Sequence, residues 1–142
     1  REQGCEGVVD FRDYLDQAEL LTLHVPLDES TRHMVGADEL ARLPEGAIVI
    51  NNARGGVVDE VALAAALTSG HLGGAGVDVY EEEPPPPDHP LLGAPNTVLT
   101  PHNAASTREG TRRMAMGAAQ NIVDFMHGRL GKGSIFNASA LP

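Results

Sequence analysis

Lysine and cysteine each occur once in the 142 residues, and tryptophan not at all. Each scarcity excludes something. A lone Cys5 leaves no internal disulfide and no cysteine-based zinc site. Aromatic residues make up 4%, and 10 Lys+Arg face 20 Asp+Glu, a formal net charge of -10. Nucleic-acid binding needs basic faces and stacking rings, so it is not expected. Apolar runs such as Ala62 to Leu67 fall far short of the ~20 residues a membrane helix requires. Arg1-Glu2-Gln3-Gly4 holds no apolar signal-peptide core, which makes the cytoplasm the expected location. What the chain does have is a hydrophobic share of 42%, enough for the core of one ordinary domain. A small anionic ligand remains compatible with the acidic balance, because one Arg or one helix N-terminus decides that locally.

Apolar runs alternate with helical patterns. Glu6 to Val9 is a short strand candidate, and Phe11 to Ala18 reads as an Asp-rich helix. Glu19 to Val25 is a continuous apolar run stopped by Pro26. A short helix over Ala37 to Leu43 leads through the turn Pro44-Glu45-Gly46 into a strand over Ala47 to Asn52. Asp59 to Ser69 is an alanine-rich helix with Asp59 as N-cap and Gly70 as C-cap. Strands follow over Gly74 to Val79 and Thr97 to Thr100, then a long helix from about Ser106 to about His127. Its Met114, Met116, Ile122, Val123, Phe125 and Met126 read as a packing face, and Gly128 to Pro142 as a loosely held tail. Doubly apolar strands separated by helices predict an α/β fold, with a parallel sheet covered on both sides.

In such sheets ligands sit beyond the carboxyl ends of the strands. Polar residues gather there: Asn51 to Gly56, Asp78 to Glu83, then His102 and Asn103. Arg54 reads either as an ordinary loop arginine or as a carboxylate fork, with two glycines beside it allowing close approach. His102 paired to a carboxylate could hold and donate a proton near neutral pH. Spacing alone leaves Asp78, Glu81, Glu82 and Glu83 equal as its partner, and a solvated turn is the plainer reading of the acidic run. The segment Pro84 to Pro87 reads as a stiff surface connection. His24, His33, His71, His89 and His127 read as structural, with no metal-site spacing among them. Asn137-Ala138-Ser139 fits a glycosylation pattern by chance.

Four segments in order resemble the D-isomer-specific 2-hydroxyacid dehydrogenases. They are Leu23-His24-Val25-Pro26-Leu27, Ile50 to Glu60 with its Asn-Asn-Ala-Arg-Gly-Gly core, Gly76 to Pro84, and Leu99 to Thr107 with its Thr-Pro-His. Any one alone is weak; four at family-like spacing from about Gly7 to about Gly128 are specific. The resemblance implies NAD(H) or NADP(H) as cofactor and a D-2-hydroxy or 2-keto carboxylate as substrate. It implies Arg54 as the carboxylate grip, His102 as acid/base and Glu83 as its partner. It places Val25, Asn52, Asp78, His102, Asn103, Ala104 and Ala105 along the cofactor, with Asp78 at the nicotinamide carboxamide. It also implies a homodimer for the complete protein.

The family's Gly-x-Gly-x-x-Gly turn does not occur before residue 20, nor does the residue that reads the ribose. The expected fold is therefore a partial Rossmann-type doubly wound sheet lacking its first two strands. Glu6 to Val9 would be the third strand and Glu19 to Val25 the fourth, with a gap between them. Residues 1–128 would form the C-terminal part of the NAD(P)-binding domain and 129–142 a tail, with no substrate domain in this chain. A contrasting expectation is a truncated oligomerisation or corepressor-like module with no turnover of its own.

Overall fold

In the computed structural model the described residues are Gly4 and residues 7–135. The chain forms two compact units, residues 1–103 and 104–142. Four strands build one all-parallel sheet in the first unit: β1 (Leu20–Leu23), β2 (Ile48–Asn51), β3 (Gly74–Val77) and β4 (Thr97–Leu99). Their order across the sheet is β1-β2-β3-β4. The helices α1 (Ala37–Arg42) and α2 (Glu60–Thr68) fall between strands, as parallel crossovers require. A 3-10 helix over Phe11–Gln17 precedes β1, capped by the Asp10 side chain.

Each start and stop has a local cause. Asp59 caps α2 by accepting from the backbone N–H groups of Val61 and Ala62. Gly70, at φ 79°, follows the last helical turn in the left-handed conformation that glycine adopts without strain. The Glu83–Pro84 peptide is cis.

Register separates the sheet into two faces. Leu23, Val49, Ala75 and Val77 join Leu40 of α1 and Leu63 and Leu67 of α2 in one core. On the opposite face Leu20, Ile48 and Val98 are 56%, 44% and 69% exposed. The sheet of the first unit is thus covered on one face, where apolar patterning predicted both.

The strand expected over Glu6 to Val9 does not form. Gly7 to Val9 run as irregular, exposed backbone, and Glu6 lies outside the described residues. A strand exists only where a partner supplies its hydrogen bonds, and among the described residues β1 pairs with β2 alone. Among the described residues the sheet therefore has β1 at its edge, with no gap between the four strands.

In the second unit, α3 spans Arg108–Met126, capped by Thr107, which accepts from the Gly110 N–H. None of its side chains is buried, so the Met, Ile, Val and Phe side chains expected to pack stay open. A short 3-10 turn, Lys132–Ser134, follows. Asn137-Ala138-Ser139 lies outside the described residues. Among the described residues, no helix is long and apolar enough to cross a membrane.

Candidate functional site

Parallel strands deliver their carboxyl ends to one edge of the sheet, and the polar loops follow from there. At the end of β2, the buried Asn51 shapes the turn that follows from both ends. Its Nδ2 donates to the Arg54 carbonyl at 3.0 Å, and its Oδ1 accepts from the Ala53 N–H at 3.2 Å. Arg54 is presented exposed from that turn, its Nη1 donating to the Ala53 carbonyl.

The loop after β3 begins with Asp78, which is 5% exposed. Its Oδ1 accepts from the Thr100 hydroxyl at 2.5 Å and from the Asn103 N–H at 2.8 Å, tying the ends of β3 and β4 together. Five residues on, Glu83 folds back, and its Oε1 accepts from the Tyr80 N–H at 3.0 Å. Its carboxylate also faces His102, whose Nδ1 lies 2.8 Å from Oε2 and 3.1 Å from Oε1. The His102 contact, with help from the Tyr80 N–H, holds the Glu83 carboxyl below its usual range. His102 has φ 53°, a left-handed backbone uncommon for a residue with a side chain. Beside the pair lies a cavity of about 320 Å³ lined by Tyr80, Glu83, Pro84, Pro85, Pro101 and His102. Burial raises the Tyr80 phenol, as do the carboxylates of Glu60, Asp78 and Glu83.

The Arg54 loop and the Asp78–Glu83 loop meet at Gly55. A Cβ there would stand 1.9 Å from the Tyr80 carbonyl oxygen, so only glycine admits this approach.

Of the residues singled out in the sequence, Asp78 is hydrogen-bonded to Asn103 and Glu83 to His102, and Arg54 enters through its neighbour Gly55. The partner of His102, open on spacing, is Glu83. Val25 and Asn52 lie just past the paired ends Leu23↔Asn51 of β1 and β2, half-buried and exposed respectively. Ala104 and Ala105 belong to the second unit and are exposed. Among the described residues no group of three or more His, Cys, Asp or Glu could hold a metal ion.

Sequence reasoning missed several supports. Glu81 pairs with His33 at a short contact and with Arg32 at 3.5 Å. His89 Nε2 lies 2.8 Å from Glu60 Oε2, both side chains largely buried. No local pattern announces these pairs, because their members are brought together only by the crossovers. Asn51 and Thr100 did carry a signal: each is a polar residue closing an apolar run.

The family described as D-isomer specific 2-hydroxyacid dehydrogenase, NAD binding domain, matches residues 1–104. A glyoxylate reductase of Korarchaeum cryptofilum is 45% identical over 130 residues, covering 92% of this chain and 39% of the relative. A D-isomer specific 2-hydroxyacid dehydrogenase from Xanthobacter autotrophicus, solved with NADPH and MES, is similar at TM-score 0.72 and 42% identity. The match covers 83% of this chain and 48% of that one. A D-lactate dehydrogenase of Lactobacillus jensenii, solved with NAD+, is similar at TM-score 0.77 and 32% identity, over 84% of this chain and 40% of that one. The chain spans between about a quarter and two fifths of the length of the curated relatives it matches.

Proposed function

Given that the chain belongs to the D-isomer specific 2-hydroxyacid dehydrogenase family, we propose that it carries the acid/base pair, the substrate grip and the nicotinamide end of an NAD(P)-dependent 2-keto acid reductase. Residues 1–128 are then the C-terminal part of the NAD(P)-binding domain, and 129–142 its tail. The His102–Glu83 pairing at adjoining strand ends is the observation that supports this reading most.

The residues at the strand ends fit a nicotinamide. Val25 and Pro101 offer apolar surface for a flat ring, while Asn52, Asp78 and Asn103 offer partners for its amide. No glycine-rich turn among the described residues would cradle a pyrophosphate, so these groups would hold the nicotinamide end only. When bound, the cofactor exchanges a hydride with carbon 2 of the substrate.

The chain's own residues do the rest. Arg54 grips the substrate carboxylate with its planar fork and sets the neighbouring carbonyl in place. Since Nδ1 of His102 faces Glu83, Nε2 is the nitrogen left for substrate. In reduction, the Nε2–H of the imidazolium gives its proton to the keto oxygen; in oxidation, neutral Nε2 takes it back. The Glu83 carboxylate stabilises the imidazolium and fixes the plane of the ring. The substrate is a small 2-keto or 2-hydroxy carboxylate, and the complete protein is a homodimer, a feature that rests on the resemblance alone.

Reduction of glyoxylate and hydroxypyruvate, with NADH and with NADPH, by the complete natural protein tests the proposal. Arg54→Lys should lower kcat/KM by roughly 10- to 100-fold, because a point charge forms one charged hydrogen bond where the fork forms two. Near-normal kcat/KM would remove Arg54 from the substrate site, and no keto-acid reduction by the unaltered protein would end the reading.

A further inference from the structure

The turn bearing Glu83 has a buried anchor that the proposed reaction does not use. Glu60, the first residue of α2, is 6% exposed. Its Oε1 accepts from the Glu81 N–H at 2.8 Å, and its Oε2 lies 2.8 Å from His89 Nε2. The Tyr80 ring meets the His89 ring nearly edge-on, with centroids 6.1 Å apart. Burial pushes the Glu60 carboxyl up, while the Glu81 N–H and His89 oppose that rise. A carboxylate taken this far from water needs such partners, and removing one of them leaves the others uncompensated.

One residue earlier, the Tyr80 N–H donates to Glu83. Two successive backbone N–H groups of one turn are therefore engaged by two carboxylates, one buried and one facing His102. The Glu81 side chain adds contacts to His33 and Arg32, but those groups are exposed and water can replace them. Water cannot replace the Glu60 contact so readily.

We propose that Glu60, steadied by His89, is a positioning residue for the Glu83–His102 pair: it fixes the Tyr80–Glu81 peptide so that the Tyr80 N–H stays aimed at Glu83. Its catalytic consequence rests on the dehydrogenase reading; its geometry does not. In this scheme Glu60 touches neither substrate nor cofactor and acts only through Glu83.

The test is a carboxyl-carbon NMR titration of Glu83 in the complete natural protein, with Glu60→Ala and Glu60→Gln beside it. In the unaltered protein Glu83 should titrate below the ordinary glutamate value of ~4.3. Glu60→Ala should raise that midpoint by roughly half a pH unit or more, as the Tyr80 N–H loses its aim. Glu60→Gln keeps an acceptor oxygen at the same reach and should restore most of the shift. Keto-acid reduction should follow, with kcat falling about tenfold in the Ala variant, KM nearly constant, and Gln recovering most of the loss.

An unmoved Glu83 midpoint in Glu60→Ala overturns the inference. So does an equal change in both variants: an equal fall is what loss of a neighbouring negative charge produces through space, and an equal rise would mean that the acceptor oxygen kept by Gln does not hold the peptide. If Glu60→Ala does not fold, Glu60→Asp decides: a shortened reach should raise the midpoint, and no change sinks the idea. If the unaltered protein reduces no keto acid, the dehydrogenase reading falls while the titration still judges the positioning.

Discussion

At the scale of single residues, Gly55 leaves the least room for a side chain among the described glycines. A methyl group there meets the Tyr80 carbonyl at 1.9 Å, and backbone on both sides must move. Gly55→Ala should cost about 1–3 kcal/mol of stability, as overpacking does elsewhere. A thermal melt of the variant checks this; an unchanged Tm would mean that the two loops do not press together there. The residue types of the site were legible in the sequence, and their pairing was not. Asp78, Glu81, Glu82 and Glu83 were equal partners for His102 on spacing, and the fold chose by geometry. Tyr80 offers its N–H to Glu83, Glu81 turns toward His33 and Arg32, and Asp78 is engaged by Thr100 and Asn103. His89 read as structural and Glu60 drew no reading of its own, because nothing local says that a crossover will bury one against the other.

At the scale of elements, the 3-10 helix over Phe11–Gln17 is tied to α1 by Arg12. Its Nε donates to Glu39 at 2.8 Å, and its Nη2 donates to the Met34 carbonyl at 3.2 Å. The Arg12 bond, aided by the Gly36 N–H, holds the Glu39 carboxyl below its usual value. A depressed carboxyl stabilises the fold above its unfolded pKa, ~4.3, and that contribution disappears as pH falls through the folded value. Glu39→Gln should therefore lower Tm at pH 7 but converge with the unaltered protein in acid, as melts from pH 7 down to about 3 would record. Equal losses at every pH would assign the effect to packing instead. The elements themselves were largely legible. Apolar runs gave β1 to β4, and Asp59 and Gly70 marked the ends of α2. The failure at Gly7 to Val9 is instructive: two valines supply strand propensity, but Val9 stays fully exposed because no neighbouring strand offers it hydrogen bonds.

At the scale of the whole molecule, β1 is unpaired on one side among the described residues, with Leu20, Ile48 and Val98 open on one sheet face. Covering each would be worth about 1.5–3 kcal/mol when complete, and an open strand edge templates association. The isolated 142 residues should sediment as oligomers or aggregate; a monodisperse monomer at micromolar concentration would show that the open face is tolerated. The order β1-β2-β3-β4 has a consequence for the birth of the fold. Strand order across the sheet repeats strand order along the chain, so each strand can dock on the one synthesised just before it. No strand waits for a partner from later in translation, every loop closed is a single crossover, and the contact order stays low for a parallel sheet. At ribosomal rates of about 5–20 residues per second, such a sheet can grow one strand at a time behind the emerging polypeptide. The Asp78–Glu83 turn would then close on an α2 already in place, with Glu60 waiting for it.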